Sequence, residues 1–171
     1  LTIDGRGRVW AGMFDGGIDV LDAESGERHE NLTDAGVREV NALARETGSD
    51  RVWVASSKGI VQFDDGRMSR RFGPDDGLAG SSATAIVANV GPTGAGIAVA
   101  TNAGLTVTDG RVARTLTAFH GLPNNHAYAV AAIGTRLFVG TLGGLAEVEA
   151  MKVGRTFSVS NSRLPHNWVN A

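Results

Sequence analysis

One short pattern occurs four times along the chain, and its interval, between 40 and 45 residues, constrains the fold more tightly than any other feature. Val9-Trp10-Ala11-Gly12 is followed by Gly16-Gly17-Ile18, and Val52-Trp53-Val54-Ala55 by Gly59-Ile60. Ile97-Ala98-Val99-Ala100-Thr101 precedes Gly104-Leu105, and Leu137-Phe138-Val139-Gly140-Thr141 precedes Gly144-Leu145. One position of the pattern carries Trp10, Trp53, Ala98 and Phe138, and another Gly17, Gly59, Gly104 and Gly144. Glycine at such a point lets the chain reverse where a Cβ would clash. A turn ahead of each unit also recurs, as Gly77-Leu78, Gly121-Leu122 and Arg163-Leu164, with a degenerate form at Asp34-Ala35-Gly36-Val37. A unit this short cannot bury its apolar faces alone and must stack on its neighbours. Four short strands at this period predict an all-β fold, a β-propeller of four four-stranded antiparallel blades. Those blades would form either a complete small ring or part of a ring of seven or eight.

The clearest copy begins at Gly121-Leu122-Pro123-Asn124-Asn125, where proline fixes φ and the asparagine pair favours a turn. An apolar strand follows, then Leu137-Phe138-Val139-Gly140-Thr141 and Gly143-Gly144-Leu145. These residues resemble the two-component regulator propeller repeat, whose pattern runs Gly-Leu-Pro/Ser-Asn-Asn, a strand, Leu-Trp-Val/Ile-Gly-Thr and a Gly-containing turn. The copy at 77–105 departs most, with Ala98 at the aromatic position and Ala79-Gly80-Ser81 replacing Pro-Asn-Asn. The resemblance implies a ligand-sensing input domain, periplasmic or otherwise extracytoplasmic, of a bacterial two-component signalling protein.

Strand expectations follow blade by blade. The first unit, about 1–39, holds strands at 1–4, 8–13, 18–22 and 28–32. The second, 40–83, holds 40–46, 51–56, 60–64 and 68–72, with Asp64-Asp65-Gly66 as a hairpin turn. The third, 84–126, holds 84–90, 96–101, 105–109 and 112–117, with a looser hairpin at 91–96. The fourth, 127–167, holds 128–133, 137–141, 146–149 and 157–160, and residues 168–171 start a further inner strand. Val169-Asn170-Ala171 run on into Leu1 would reproduce Val40-Asn41-Ala42-Leu43. The chain thus reads as four repeat lengths cut inside an inner strand: a fragment, a permutation, or a piece that closes on itself or on a partner. An open arc would leave Val9, Trp10 and Val20 uncovered at one end and Leu137, Val139 and Val148 at the other. Further blades or a second copy of the chain are the expected cover.

Composition excludes little else. A formal net charge of −2 gives no electrostatic reason to expect nucleic acid or an anionic membrane. The absence of cysteine removes disulfide frameworks and thiolate chemistry. No run approaches the roughly 18 apolar residues of a transmembrane helix. The chain opens on Leu1 rather than Met, so targeting cannot be read from it.

Catalytic signatures are missing: no Gly-x-Ser-x-Gly elbow, P-loop, His-Glu-x-x-His or calcium loop occurs. Asp4-Gly5-Arg6-Gly7 lacks the spacing of sialidase-type Asp boxes. His120, His126 and His166 read as loop histidines rather than metal ligands. Asp75-Asp76 and Asp64-Asp65 read as turn carboxylates rather than an acid/base pair. No catalytic residue, metal or cofactor is therefore expected.

Trp168 breaks the repeat, standing where other units carry Glu39, Ala83 or Ala127. Loops entering the inner strands and those joining second to third strands normally share one face around the central channel. Phe14, Asp15, Arg38, Lys58, Asn102, Asn124, Asn125 and Trp168 would crowd that mouth. Aromatic, amide and charged groups together suit an oligosaccharide or another polar ligand. The expected function is non-catalytic ligand sensing. The alternatives are a lyase- or hydrolase-like propeller enzyme, a protein-interaction scaffold, or an engineered propeller fragment.

Overall fold

A computed structural model describes residues 1–34, 37–91 and 93–171. Ala35 and Gly36 of the degenerate turn, and Pro92 of the loose hairpin, lie outside the described residues. The chain forms four separate four-stranded antiparallel sheets, a β-propeller of four blades. Blade 1 is β1 (Thr2–Ile3), β2 (Val9–Gly12), β3 (Ile18–Leu21) and β4 (Arg28–Leu32). Blade 2 is β5 (Val40–Arg45), β6 (Val52–Ser56), β7 (Gly59–Asp64) and β8 (Arg67–Phe72). Blade 3 is β9 (Ala83–Val90), β10 (Gly96–Thr101), β11 (Gly104–Thr108) and β12 (Ala113–Leu116). Blade 4 is β13 (Ala127–Ile133), β14 (Arg136–Thr141), β15 (Gly144–Glu149) and β16 (Lys152–Phe157). The helical segments that join blades, Pro74–Asp76 and Ala118–His120, are single 3-10 turns.

The second strands carry apolar side chains on both faces, because each face meets a different blade. All five residues of β6 are buried. Three core clusters fill the interfaces in order. Trp10, Ile18 and Val20 of blade 1 pack with Val52, Val54, Val61 and Phe63 of blade 2. Trp53, Ala55, Ile60 and Phe72 then pack with Ile86, Ala88, Ile97 and Val99 of blade 3. Ala98, Ala100, Leu105 and Leu116 pack with Leu137, Val139, Ala146 and Val148 of blade 4. The recurring turn residue is an anchor, with Val37, Leu78 and Leu122 each buried in one cluster.

Two physical devices repeat at the second hairpin. The buried hydroxyls of Ser56, Thr101 and Thr141 donate to the carbonyls of Gly59, Gly104 and Gly144, at 3.2, 2.9 and 2.8 Å. Each also accepts the amide two residues on, from Lys58, Ala103 and Gly143. The pattern glycine follows: Gly17, Gly59, Gly104 and Gly144 have φ of 76, 102, 144 and 138°. A Cβ on any of them would run into the carbonyl oxygen of Leu32, Phe72, Leu116 or Phe157 on the outer strand. Gly59→Ala is therefore expected to destabilise the fold by about 1–3 kcal/mol, the scale of a strained left-handed residue. Thermal unfolding checks this, and an unchanged melting temperature would contradict it.

Three expectations are corrected. The outer strand of blade 4 is β16 at Lys152–Phe157, not 157–160, because Ala150 and Met151 take φ of 48 and 59° and reverse the chain at once. Ser158 to Ser162 then form a turn closed by Ser158 amide to Asn161 Oδ1, 2.7 Å. The faces left at the ends also differ from expectation. Trp10, Val20, Leu137, Val139 and Val148 are all buried against neighbouring blades. The half-covered residues lie on the opposite faces, Val9, Ala11 and Leu21 of blade 1 and Phe138 and Leu145 of blade 4. Among the described residues no core cluster joins blade 4 to blade 1. Finally, Val169 donates its amide to Thr141 O at 3.0 Å, as Val40 does to Met13 O at 3.2 Å. This sets Val169 level with Val40, Ala83 and Ala127. The positions equivalent to Trp168 are therefore Glu39, Ser82 and His126, one residue earlier than the sequence alignment gives for the last two.

Candidate functional site

The register of the inner strands lays out the channel. Counted from their shared starting level, the second residue of each inner segment is Asn41, Thr84, Tyr128 or Asn170. Asn41 Nδ2 donates to Ala83 O of the next blade at 2.7 Å, and Thr84 Oγ1 to Ala127 O at 2.7 Å. These side chains tie neighbouring inner strands together. Tyr128 departs from that role, and its ring lies 5.6 Å from the Trp168 ring, tilted by 56°. The His126 ring stacks on Tyr128 at 6.2 Å and 22°. All four of Asn41, Thr84, Tyr128 and Asn170 line a cavity of about 440 Å³ bounded by blades 2, 3 and 4 and by residues 169–171. The Trp168 side stays 49% exposed, whereas Trp10 and Trp53 are buried.

The expected mouth residues fall into separate groups on the loops, and none of them lines this cavity. Glu39, just ahead of β5, gathers the first: its amide donates to Phe14 O at 2.7 Å and its carbonyl accepts from Ser57 N at 3.3 Å. Phe14, Asp15, Arg38 and Lys58 thus sit on adjoining loops at the blade 1–2 junction, all exposed, Phe14 by 75%. Asn102 heads the β10–β11 hairpin, where its Oδ1 accepts from Ser82 N at 3.3 Å. Asn124 Oδ1 accepts from His126 N at 2.8 Å, and Asn125 Oδ1 from Ala118 N at 2.6 Å. Asn167 repeats the Asn125 contact on Val159 N at 2.8 Å. Each of these three carbonyl oxygens is engaged in shaping its own turn.

Tyr128 was missed by sequence reasoning, although the signal was present. It is the one aromatic at a position otherwise held by Asn or Thr. Of the expected residues, Trp168 is in ring contact with it.

The carboxylates set aside in the sequence are held by local partners. Asp76 Oδ2 accepts from Gly73 N at 2.9 Å. Asp64 is raised by burial, but bonds from Arg51 and Gln62 outweigh this and hold it below the usual carboxylate range. Asp65 pairs with Arg6 across the blade 1–2 interface. His120 accepts the Thr117 amide at 3.1 Å, and His166 that of Trp168 at 2.9 Å, each within its turn. Among the described residues no three acidic or histidine side chains converge as metal ligands.

No family model matches the chain, and no curated protein matches it. Solved structures do. The extracellular domain of the putative hybrid two-component system BT3049 from B. thetaiotaomicron aligns over 98% of this chain and 23% of its own, at TM-score 0.80 and 21% identity. The extracellular domain of the putative one-component system BT4673 aligns over 88% and 20%, at TM-score 0.69 and 16% identity. The computationally designed Ika8 protein aligns over 96% and 47%, at TM-score 0.64 and 17% identity. The chain therefore spans about a quarter of the natural domains it matches. At these identities the likeness shows the fold, a β-propeller of four blades.

Proposed function

We propose that this chain is a non-catalytic sensing module, an arc of an extracytoplasmic input domain, that binds a polar ligand at the channel mouth beside Tyr128 and Trp168. The observation that carries the reading is the exposed Trp168 ring tilted against Tyr128, above a cavity bordered by Asn41, Thr84 and Asn170. An apolar ring face flanked by amides matches the alternating CH and OH surfaces of an oligosaccharide. Phe14, Asp15, Arg38, Lys58 and Asn102 supply the remainder of the mouth, with Asn124 and Asn125 shaping the blade 4 loop. The signalling role and the location outside the cytoplasm are supported by the resemblance of the repeat and by structural neighbours that are extracellular domains of two- and one-component systems.

Titration calorimetry with a panel of neutral oligosaccharides tests the reading. At least one is expected to bind saturably, and Trp168→Ala is expected to weaken it by about 1–3 kcal/mol. Unchanged affinity in Trp168→Ala, or turnover of the bound saccharide, would contradict it.

A further inference from the structure

Where the chain turns into each inner segment, the amide one residue ahead of it is hydrogen-bonded in every repeat. These amides belong to Glu39, Ser82, His126 and Trp168. Glu39 N donates to Phe14 O at 2.7 Å, Ser82 N to Asn102 Oδ1 at 3.3 Å and His126 N to Asn124 Oδ1 at 2.8 Å. Trp168 N donates to His166 Nδ1 at 2.9 Å. Three of the four acceptors are carbonyl oxygens of backbone or amide groups, which do not titrate near neutrality. The fourth is an imidazole nitrogen.

Asn124 and His166 hold the same place in the repeat, each two residues ahead of the amide it accepts. A backbone amide can only donate. His166 Nδ1 therefore turns its lone pair to Trp168, and the ring is neutral with its proton on Nε2. Protonation makes both ring nitrogens donors, so two N–H groups would face each other where the bond had been. Histidine is the side chain whose ordinary titration, at about 6.5, makes that change near neutral pH.

The bond holds the exposed ring of the mouth. Trp168 lies 5.6 Å from Tyr128, on which the His126 ring is stacked at 6.2 Å. Its neighbours in sequence are fixed separately, Val169 N on Thr141 O at 3.0 Å and Asn167 Oδ1 on Val159 N at 2.8 Å. The elements packed on this turn are thus the turn at 158–162, the hairpin turn at 141–144 and the start of β13. The first two carry no titratable side chain. The start of β13 brings His126 and Tyr128, and the segment itself carries Arg163. None of these is a carboxylate that would favour the protonated ring.

We propose that His166 is a positioning residue, a proton-sensitive latch that holds Trp168 in place while neutral and releases it on acidification. The effect on binding rests on the channel mouth being the ligand site, as proposed above; the latch itself does not.

The latch is read without ligand, by NMR and fluorescence on the whole chain between pH 8 and 5. The His166 ring protons and the Trp168 amide are expected to titrate with one midpoint. Acrylamide quenching, which reaches Trp168 rather than the buried Trp10 and Trp53, is expected to rise as pH falls. His166→Asn, which supplies the acceptor that Asn124 provides in the preceding repeat, is expected to keep both readouts level. His166→Ala should show the acid-state quenching at every pH, and His126→Asn should leave the Trp168 titration in place. With an oligosaccharide that binds at pH 8, affinity is expected to fall roughly three- to tenfold at pH 5, the scale of one hydrogen bond, and to stay level in His166→Asn. A Trp168 amide and quenching independent of pH, or a pH dependence that persists in His166→Asn, overturns the latch. Affinity that stays level while the latch titrates overturns its link to binding. If no saccharide binds at pH 8, the mouth fails as the ligand site, and the ligand-free titration still decides the latch.

Discussion

Replacing Asp4 by alanine is expected to cost the fold about 3–5 kcal/mol, the largest loss from any single polar side chain in the molecule. Asp4 closes the β1–β2 turn and is buried, with four donors converging on it. Its Oδ1 accepts the amides of Arg6 and Arg8 at 2.9 and 3.0 Å, and its Oδ2 takes Arg8 Nε at 2.7 Å and Trp10 Nε1 at 2.9 Å. Truncation would strand the Arg8 guanidinium, whose Nη2 is already buried without a partner, and the indole N–H of a fully buried tryptophan. An orphaned buried donor loses its full desolvation cost, not merely one bond. Burial pushes the Asp4 carboxyl up, yet the bonds from Trp10, Arg8 and Arg6 outweigh it and hold the pKa below the ordinary value. Protons therefore bind the unfolded chain more readily than the folded one. The stabilisation is fully present above the unfolded pKa of about 3.9 and is lost as pH falls through the folded value. Urea unfolding between pH 2 and 7 measures it: the acid-limb slope should shrink in Asp4→Ala. Trp10→Phe, which removes one donor and part of a buried ring, should cost less, about 1–3 kcal/mol. Equal stability of Asp4→Ala and the unaltered chain would show that these bonds contribute nothing.

Association is the second large effect. We propose that the free faces of blades 1 and 4 are covered by further blades, and that with this chain alone in solution a second copy supplies them. Each internal interface joins the face bearing the pattern position of one blade to the opposite face of the next. The two free faces are one of each kind: Phe138 and Leu145 on blade 4, Val9, Ala11 and Leu21 on blade 1. They are complementary head to tail, and two copies would close a two-fold ring of eight blades. Val169 already occupies, on blade 4, the place of a following inner strand. Each large apolar side chain so covered is worth roughly 1.5–3 kcal/mol. Sedimentation at micromolar concentration is expected to give twice the chain mass, and Phe138→Glu a monomer that binds hydrophobic dye. A compact monomer of the unaltered chain with no dye binding would contradict the proposal.

The fold was legible because repetition multiplied weak signals. Any one strand of four or five apolar residues is ambiguous, but a glycine and an aromatic returning in step leave one architecture. What escaped the sequence was geometry without a compositional mark. The Ala150-Met151 turn contains neither glycine nor asparagine, so the start of β16 was misplaced. Asp4 looked like any turn aspartate, since nothing in the chain order shows four donors closing on it. At the candidate site Trp168 was visible as an exception, but its partner Tyr128 was not, because a one-residue error in aligning the inner strands hid its column. Ala98 was equally visible as a departure from the pattern.

The claim that the channel mouth is the sensing site is tested most directly by backbone NMR on the labelled chain, titrated with the best-binding neutral oligosaccharide of the panel. Shift changes are predicted to centre on His126, Tyr128, Trp168 and Asn170 and to spread to the Phe14 and Lys58 loops. Changes confined to the outer strands β4, β8, β12 and β16, or absent for every saccharide, would contradict it.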